Sequence, residues 1–189
     1  MDLMRAPLAG GPPQLVVGGR RVVALSCSRP PANRCVATEY DRNQFAFYDL
    51  DAAYGKGPEL AKLDNASPST TMCTITADGS FLVCERRNSD PVAIQFLPLG
   101  RGQERQVMVK EAGYLAPDQF DPAPDGKGFY TDGFFQGVWR ALYIDPEGHV
   151  QVLWPPLLNC HYFYVSPDGR HLAFGKWDTA GNVWLLENL

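Results

Sequence analysis

Ser166-Pro167-Asp168-Gly169-Arg170 decides how the chain is to be read, because it recurs: Ala123-Pro124-Asp125-Gly126-Lys127 and Thr76-Ala77-Asp78-Gly79-Ser80 are two further copies. Gly79, Gly126 and Gly169 follow one another at intervals of 47 and 43 residues. A degenerate copy, Pro30-Pro31-Ala32-Asn33-Arg34, falls about one interval earlier. Each copy has the chemistry of a tight turn. Proline presets φ, the Asp78, Asp125 or Asp168 carboxylate bonds the nearby backbone, and the glycine accepts a positive φ. Extended apolar runs flank the turns, Met72–Thr76 with Phe81–Arg86 and Tyr162–Ser166 with His171–Gly175, so each copy predicts a β-hairpin of strands A and B.

A second hairpin follows the first. Segments that begin near Phe45, Val92, Val138 and Val183 alternate as a strand C. Turns at Asp51–Gly57, Gly100–Gly102 and Asp145–Gly148 lead into strands D at Glu59–Leu63, Gln106–Val109 and His149–Leu153. At the N-terminus, Asp2–Leu8, Ala9-Gly10-Gly11 and Gln14–Val17 repeat the C-turn-D pattern alone. Gly10–Gly11 and Gly18–Gly19 read as hairpin turns.

A sheet of four short antiparallel strands every 40–50 residues has two apolar faces and must stack on its neighbours, which is the requirement of a propeller blade. The expected fold is therefore all-β: a β-propeller of about four four-stranded antiparallel blades. Residues 1–19 supply strands C and D of an incomplete blade, 20–66, 67–113 and 114–159 are full blades, and 160–189 supply strands A to C of the last. Two arrangements fit this count. Gln14–Val17 closes a four-bladed ring as the last blade's D strand, or the chain is a partial propeller from a larger ring. The second is favoured, and its open blade edges predict homo-oligomers.

The resemblance carried by Tyr164-Val165-Ser166-Pro167-Asp168-Gly169-Arg170-His171-Leu172-Ala173-Phe174 and Asn182-Val183-Trp184-Leu185 is to the TolB-like (WD-like) propeller repeat, an S-P-D-G hairpin followed by a V-W type strand. The two chain ends also resemble propellers that follow kinase or winged-helix domains in bacterial multidomain regulators. The resemblance implies a sensory or protein-interaction module in a larger regulatory protein and transfers no catalytic residue.

Net charge is −4, with Arg20–Arg21 and Arg86–Arg87 the only adjacent basic pairs, so no surface for neutralising phosphates is expected and nucleic acid is excluded as a partner. No apolar run is long enough to span a membrane. Met1-Asp2-Leu3-Met4-Arg5 lacks a signal-peptide pattern, although an extracytoplasmic site is expected if the chain belongs to a longer membrane-bound regulator.

Asp78, Asp125 and Asp168, with Gly79, Gly126 and Gly169, are read as structural turn residues on separate blades. Cys27 and Cys35 flank one A–B turn and Cys73 and Cys84 another. Cross-strand Cβ atoms lie about 4.5–5.5 Å apart and disulfides want about 3.5–4.5 Å, so buried thiols are the default and disulfides the alternative. No metal site or cofactor is expected, since no cysteine pair is joined to a second with ligand spacing. No G-x-S-x-G, Walker or G-x-G-x-x-G motif is present.

A binding surface for a protein or small molecule is expected at the starts of strands A and the loops before them. It comprises Arg20, Arg21, Tyr114, Asp118, Gln119, His161 and Tyr162. The alternative is a metal-dependent, lactonase-like propeller hydrolase, for which Glu39, Asp118 and Asn159 are available acids and amides.

Overall fold

The computed structural model describes residues 2–19, 21–69, 71–86, 91–109, 114–135, 138–153, 160–176 and 182–187, and within these leaves out the side chains of 114–119, 134–135, 160–162, 176 and 182–187. All its regular elements are antiparallel strands, which build five sheets in chain order. β1 (Leu3–Arg5) and β2 (Gln14–Val17) form a two-stranded sheet. The first full blade is β3 (Val22–Cys27), β4 (Cys35–Asp41), β5 (Gln44–Asp51) and β6 (Gly55–Asp64). The second is β7 (Thr71–Ile75), β8 (Phe81–Arg86), β9 (Ala93–Pro98) and β10 (Arg105–Met108). The third is β11 (Tyr114–Pro122), β12 (Phe129–Phe135), β13 (Val138–Ile144) and β14 (Val150–Val152). In the fifth sheet, the fourth blade, β15 (Cys160–Val165), β16 (His171–Lys176) and β17 (Asn182–Glu187) follow in order.

The inner strands β3, β7, β11 and β15 contact one another in succession, which places them around a common axis. Burial on both faces explains why β8 reads as an almost unbroken apolar run. Leu82 and Cys84 point to the first blade and Val83 to the third, and all are 1% exposed or less. Each blade junction has its own core. Val36, Phe45 and Phe47 meet Ile75, Leu82 and Leu97. Val83, Ile94 and Phe96 meet Phe120, Phe129, Leu142 and Ile144. Ala141 meets Phe163, Val165, Leu172 and Phe174. The two-stranded sheet packs Val17 on Val22, Ala37 and Leu50.

The repeated turns form as their chemistry dictates. Gly79, Gly126 and Gly169 have φ of 71°, 70° and 72°. In each, the aspartate Oδ1 accepts the N–H two residues on: Ser80 at 3.0 Å, Lys127 at 2.9 Å and Arg170 at 3.1 Å. In the degenerate first copy Asn33 takes the left-handed position, with φ 49°. Asparagine tolerates that region better than other non-glycine residues.

Three expectations need correction. Gly18–Gly19 is no hairpin turn: β2 and β3 belong to different sheets, so the pair links one sheet to the next. The turn expected over Asp51–Gly57 shrinks to three residues, because Asp51 pairs with Gly55 and its Oδ1 accepts the N–H groups of Ala53 and Tyr54. Strand D of that blade accordingly extends over ten residues, with irregular register at Tyr48.

Candidate functional site

The A–B turns of all four blades gather at one end of the axis, and the first blade supplies the residue that joins them. Its A–B connection is a longer loop, Ser28–Arg34, closed by Ser28 N–H on Arg34 O at 2.7 Å. The Arg29 N–H donates to Ala77 O of the second blade at 3.2 Å. Its guanidinium crosses the axis to donate to Asp121 Oδ2 of the third blade at 3.2 Å. The same group donates to Val165 O and Ser166 O of the fourth, each at 3.1 Å. Asp121 Oδ2 also accepts the Val165 N–H at 2.9 Å. Burial pushes the Asp121 carboxyl above the usual carboxylate range, against the pull of the Val165 N–H and of Arg29. One arginine thus reaches three other blades.

Above this hub opens a funnel of about 420 Å³. Its wall is lined by four prolines, Pro30, Pro31, Pro124 and Pro167, and by Asp78, Asp125 and Arg29. Asp78 is partly desolvated, yet hydrogen bonds from Thr76 and Ser80 hold its carboxyl below the usual range. The funnel therefore combines a fixed apolar rim with acidic side chains, an arrangement for grasping a side chain or a chain end. The sequence marks Asp78 and Asp125 as turn residues only. It does not mark Arg29 at all, and no local signal could have done so, since the partners of that residue lie up to 137 residues away.

The residues expected to bind belong to the opposite end of the inner strands. Arg21 is described there, in an exposed ion pair with Asp41 at 3.3 Å. Beside it a polar hollow of about 520 Å³ is lined by Asp41, Arg42, Asn43, Gln44, Asp64 and Asn65. Arg20 lies outside the described residues, as do the side chains of Tyr114, Asp118, Gln119, His161 and Tyr162. Their backbones are informative. Between Ala116 and Phe120, opposite Asp132 and Thr131, β11 carries Pro117, Asp118 and Gln119 with no counterpart on β12. On β15, Tyr162 and Phe163 span the single step between His161 and Tyr164, and on β3 Val23 is the extra residue. Three inner strands thus bulge, a device that re-aims side chains out of a ladder.

Glu39 is engaged, its Oε1 accepting Lys56 Nζ at 2.7 Å, and Asn159 lies outside the described residues. Asp145, Glu147 and His149 place ligand-type atoms within 4.8 Å of one another on the exposed turn before β14. Asp145 Oδ1 there caps the N–H groups of Glu147 and His149, and Oδ2 meets His149 Nδ1 at 2.9 Å, which accounts for the cluster as turn structure.

Both cysteine pairs are disulfides, Cys27–Cys35 and Cys73–Cys84, with Cα atoms 4.0 and 4.1 Å apart. The default of free thiols gives way because each opposed pair approaches more closely than an ordinary ladder pair. Unfolded without reductant, the chain is expected to titrate one thiol, that of Cys160; five titrating thiols overturn the bridges.

Four-stranded antiparallel sheets stacked face to face, with their first strands around one axis, define a β-propeller, and that is the class of this chain. Solved structures agree. The chain is similar to TolB from Acinetobacter baumannii (16% identity, 99% of this chain and 46% of that one, TM-score 0.75). It is similar to the β-propeller domain of the trilobed protease from Pyrococcus furiosus (11% identity, 98% and 62%, TM-score 0.63). A putative 6-phosphogluconolactonase from Bacteroides uniformis also matches (12% identity, 98% and 60%, TM-score 0.57). At these identities the likeness is one of fold. The chain spans about half to three fifths of these structures' length. No family model and no curated protein matches it.

Proposed function

We propose that the chain is a non-catalytic binding module that engages a protein partner through its axial funnel, within a larger bacterial regulatory protein. The observation that carries this is the funnel itself: a ring of prolines and acids from separate blades, fixed from beneath by Arg29. Rigid turns on a packed scaffold recognise partners with little entropy cost, and nothing in such a grip requires a cofactor. The spans matched in longer structures support membership of a larger protein, and the two disulfides support an oxidising, extracytoplasmic compartment.

The test is site-specific photocrosslinking in the native host. A photoreactive residue at Pro124 is expected to give one discrete adduct, and an added Asp125→Arg is expected to abolish it. The same probe at the exposed Tyr54 should give none. A probe at Tyr162, with His161→Ala as its control, examines the opposite end. An adduct there and not at Pro124 moves the binding surface to the bulged strand starts.

The second reading is a propeller hydrolase, favoured by the fold shared with the Bacteroides uniformis lactonase structure. A stoichiometric divalent ion in the purified protein, together with lactone hydrolysis lost on Asp118→Asn, would establish it in place of the first.

A further inference from the structure

We infer that the Cys27–Cys35 disulfide is a redox control on the axial funnel, a regulation that rests on the binding reading above. The bridge joins the ladder pair nearest the loop and closes a span of eight residues. Inside that span lie Arg29, Pro30 and Pro31, the first blade's whole contribution to the funnel. Arg34 is there too, donating to Leu99 O at 2.8 Å and pairing with Asp49 at 3.3 Å. One covalent bond therefore staples the base of the loop that fixes the hub.

The two bridges differ in access. Cys27 is exposed and Cys35 half-buried, whereas Cys84 is fully buried. Cys73–Cys84 also sits inside its hairpin, with Thr74–Val83 and Ile75–Leu82 paired between it and the turn. A dithiol reductant meets the first bridge first. Its thiolate attacks Cys27 Sγ, a mixed disulfide forms, and Cys35 leaves as thiolate. The second reductant thiol then displaces Cys27. Two electrons and two protons end on Cys27 and Cys35, and the reductant becomes a disulfide. With the staple open, the loop regains freedom, the proline wall loses its first-blade part, and partner binding weakens.

The experiment treats the folded, full chain with dithiothreitol for increasing times, blocks thiols with iodoacetamide and maps them by mass spectrometry. Cys27 and Cys35 are expected to be labelled while Cys73 and Cys84 are still bridged, with the thermal midpoint lower by about 5–10 °C. Cys27→Ser with Cys35→Ser is expected to reproduce that midpoint without reductant. Equal labelling of both bridges overturns the proposal. The Pro124 adduct separates the two readings. Its loss on reduction supports the control, and its persistence in both states overturns the control alone. Its absence from both states overturns the binding reading, whatever the labelling order shows.

Discussion

Arg29→Ala is expected to destabilise the protein by about 2–4 kcal/mol, read as a lower denaturant midpoint at unchanged cooperativity. Hydrogen bonds from a charged group are worth roughly 1.5–3 kcal/mol, and opening a buried ion pair costs about 3–5 kcal/mol. The Arg29–Asp121 pair keeps about a fifth of its side-chain surface in water, at 21% and 20%, so the lower part of that range applies. The variant also leaves the Asp121 carboxylate without its counter-charge, with the Val165 N–H still donating to it. Arg29→Lys is expected to recover less than half, since an ammonium lacks the planar fork that reaches Asp121 and the two carbonyls together.

The same variant carries a pH signature. Burial already raises the Asp121 pKa, and removing Arg29 takes away an opposing charge, so it rises further. Between the ordinary carboxylate pKa and the raised one, the native state holds more protons than the unfolded state. Stability therefore falls as pH rises through that window. The loss caused by Arg29→Ala is expected to be smaller near pH 4.5 than at pH 7. Equal losses at both pH values would show that Asp121 is not desolvated in this way.

Phe129→Ala is expected to cost about 3–5 kcal/mol, the range for truncating a buried aromatic. Phe129 is 4% exposed, stacks on Phe120 at 4.6 Å and tilts against Phe96 of the second blade at 5.8 Å. It thus spans the junction of the second and third blades. Sheets stacked in series are stable chiefly through their junctions. The variant should therefore broaden the transition as well as move it, because the blades on either side are uncoupled. Phe129→Leu is expected to lose only about 1–2 kcal/mol, since it refills most of the space. A loss below 1 kcal/mol for the alanine variant would mean that the junction closes around the gap.

The proline, acid and hub residues of the funnel are unequally legible in the sequence. Asp78 and Asp125 are visible because a turn imposes a local pattern of residue types. Pro30 and Pro31 are visible only as a degenerate turn, since their partners in the wall stand on other blades. The disulfides lie between these cases. The sequence places Cys73 and Cys84 on opposite sides of one turn, but register alone decides whether they face each other. The Gly18–Gly19 link misleads for a related reason. A glycine pair has the same local chemistry whether it joins strands within a sheet or carries the chain to the next one.

The sequence by itself determined the blade, because its hairpins, turn residues and alternation are local and repeat at a set interval. It also determined that every full sheet is apolar on both faces and must stack. The tertiary structure alone decided what the stacking creates: the Arg29 hub across four blades, the funnel above it, and the staple beneath the loop that supplies it. These depend on distances between residues up to 137 positions apart. The sheets set those distances as rigid bodies, and no local preference of the chain encodes them.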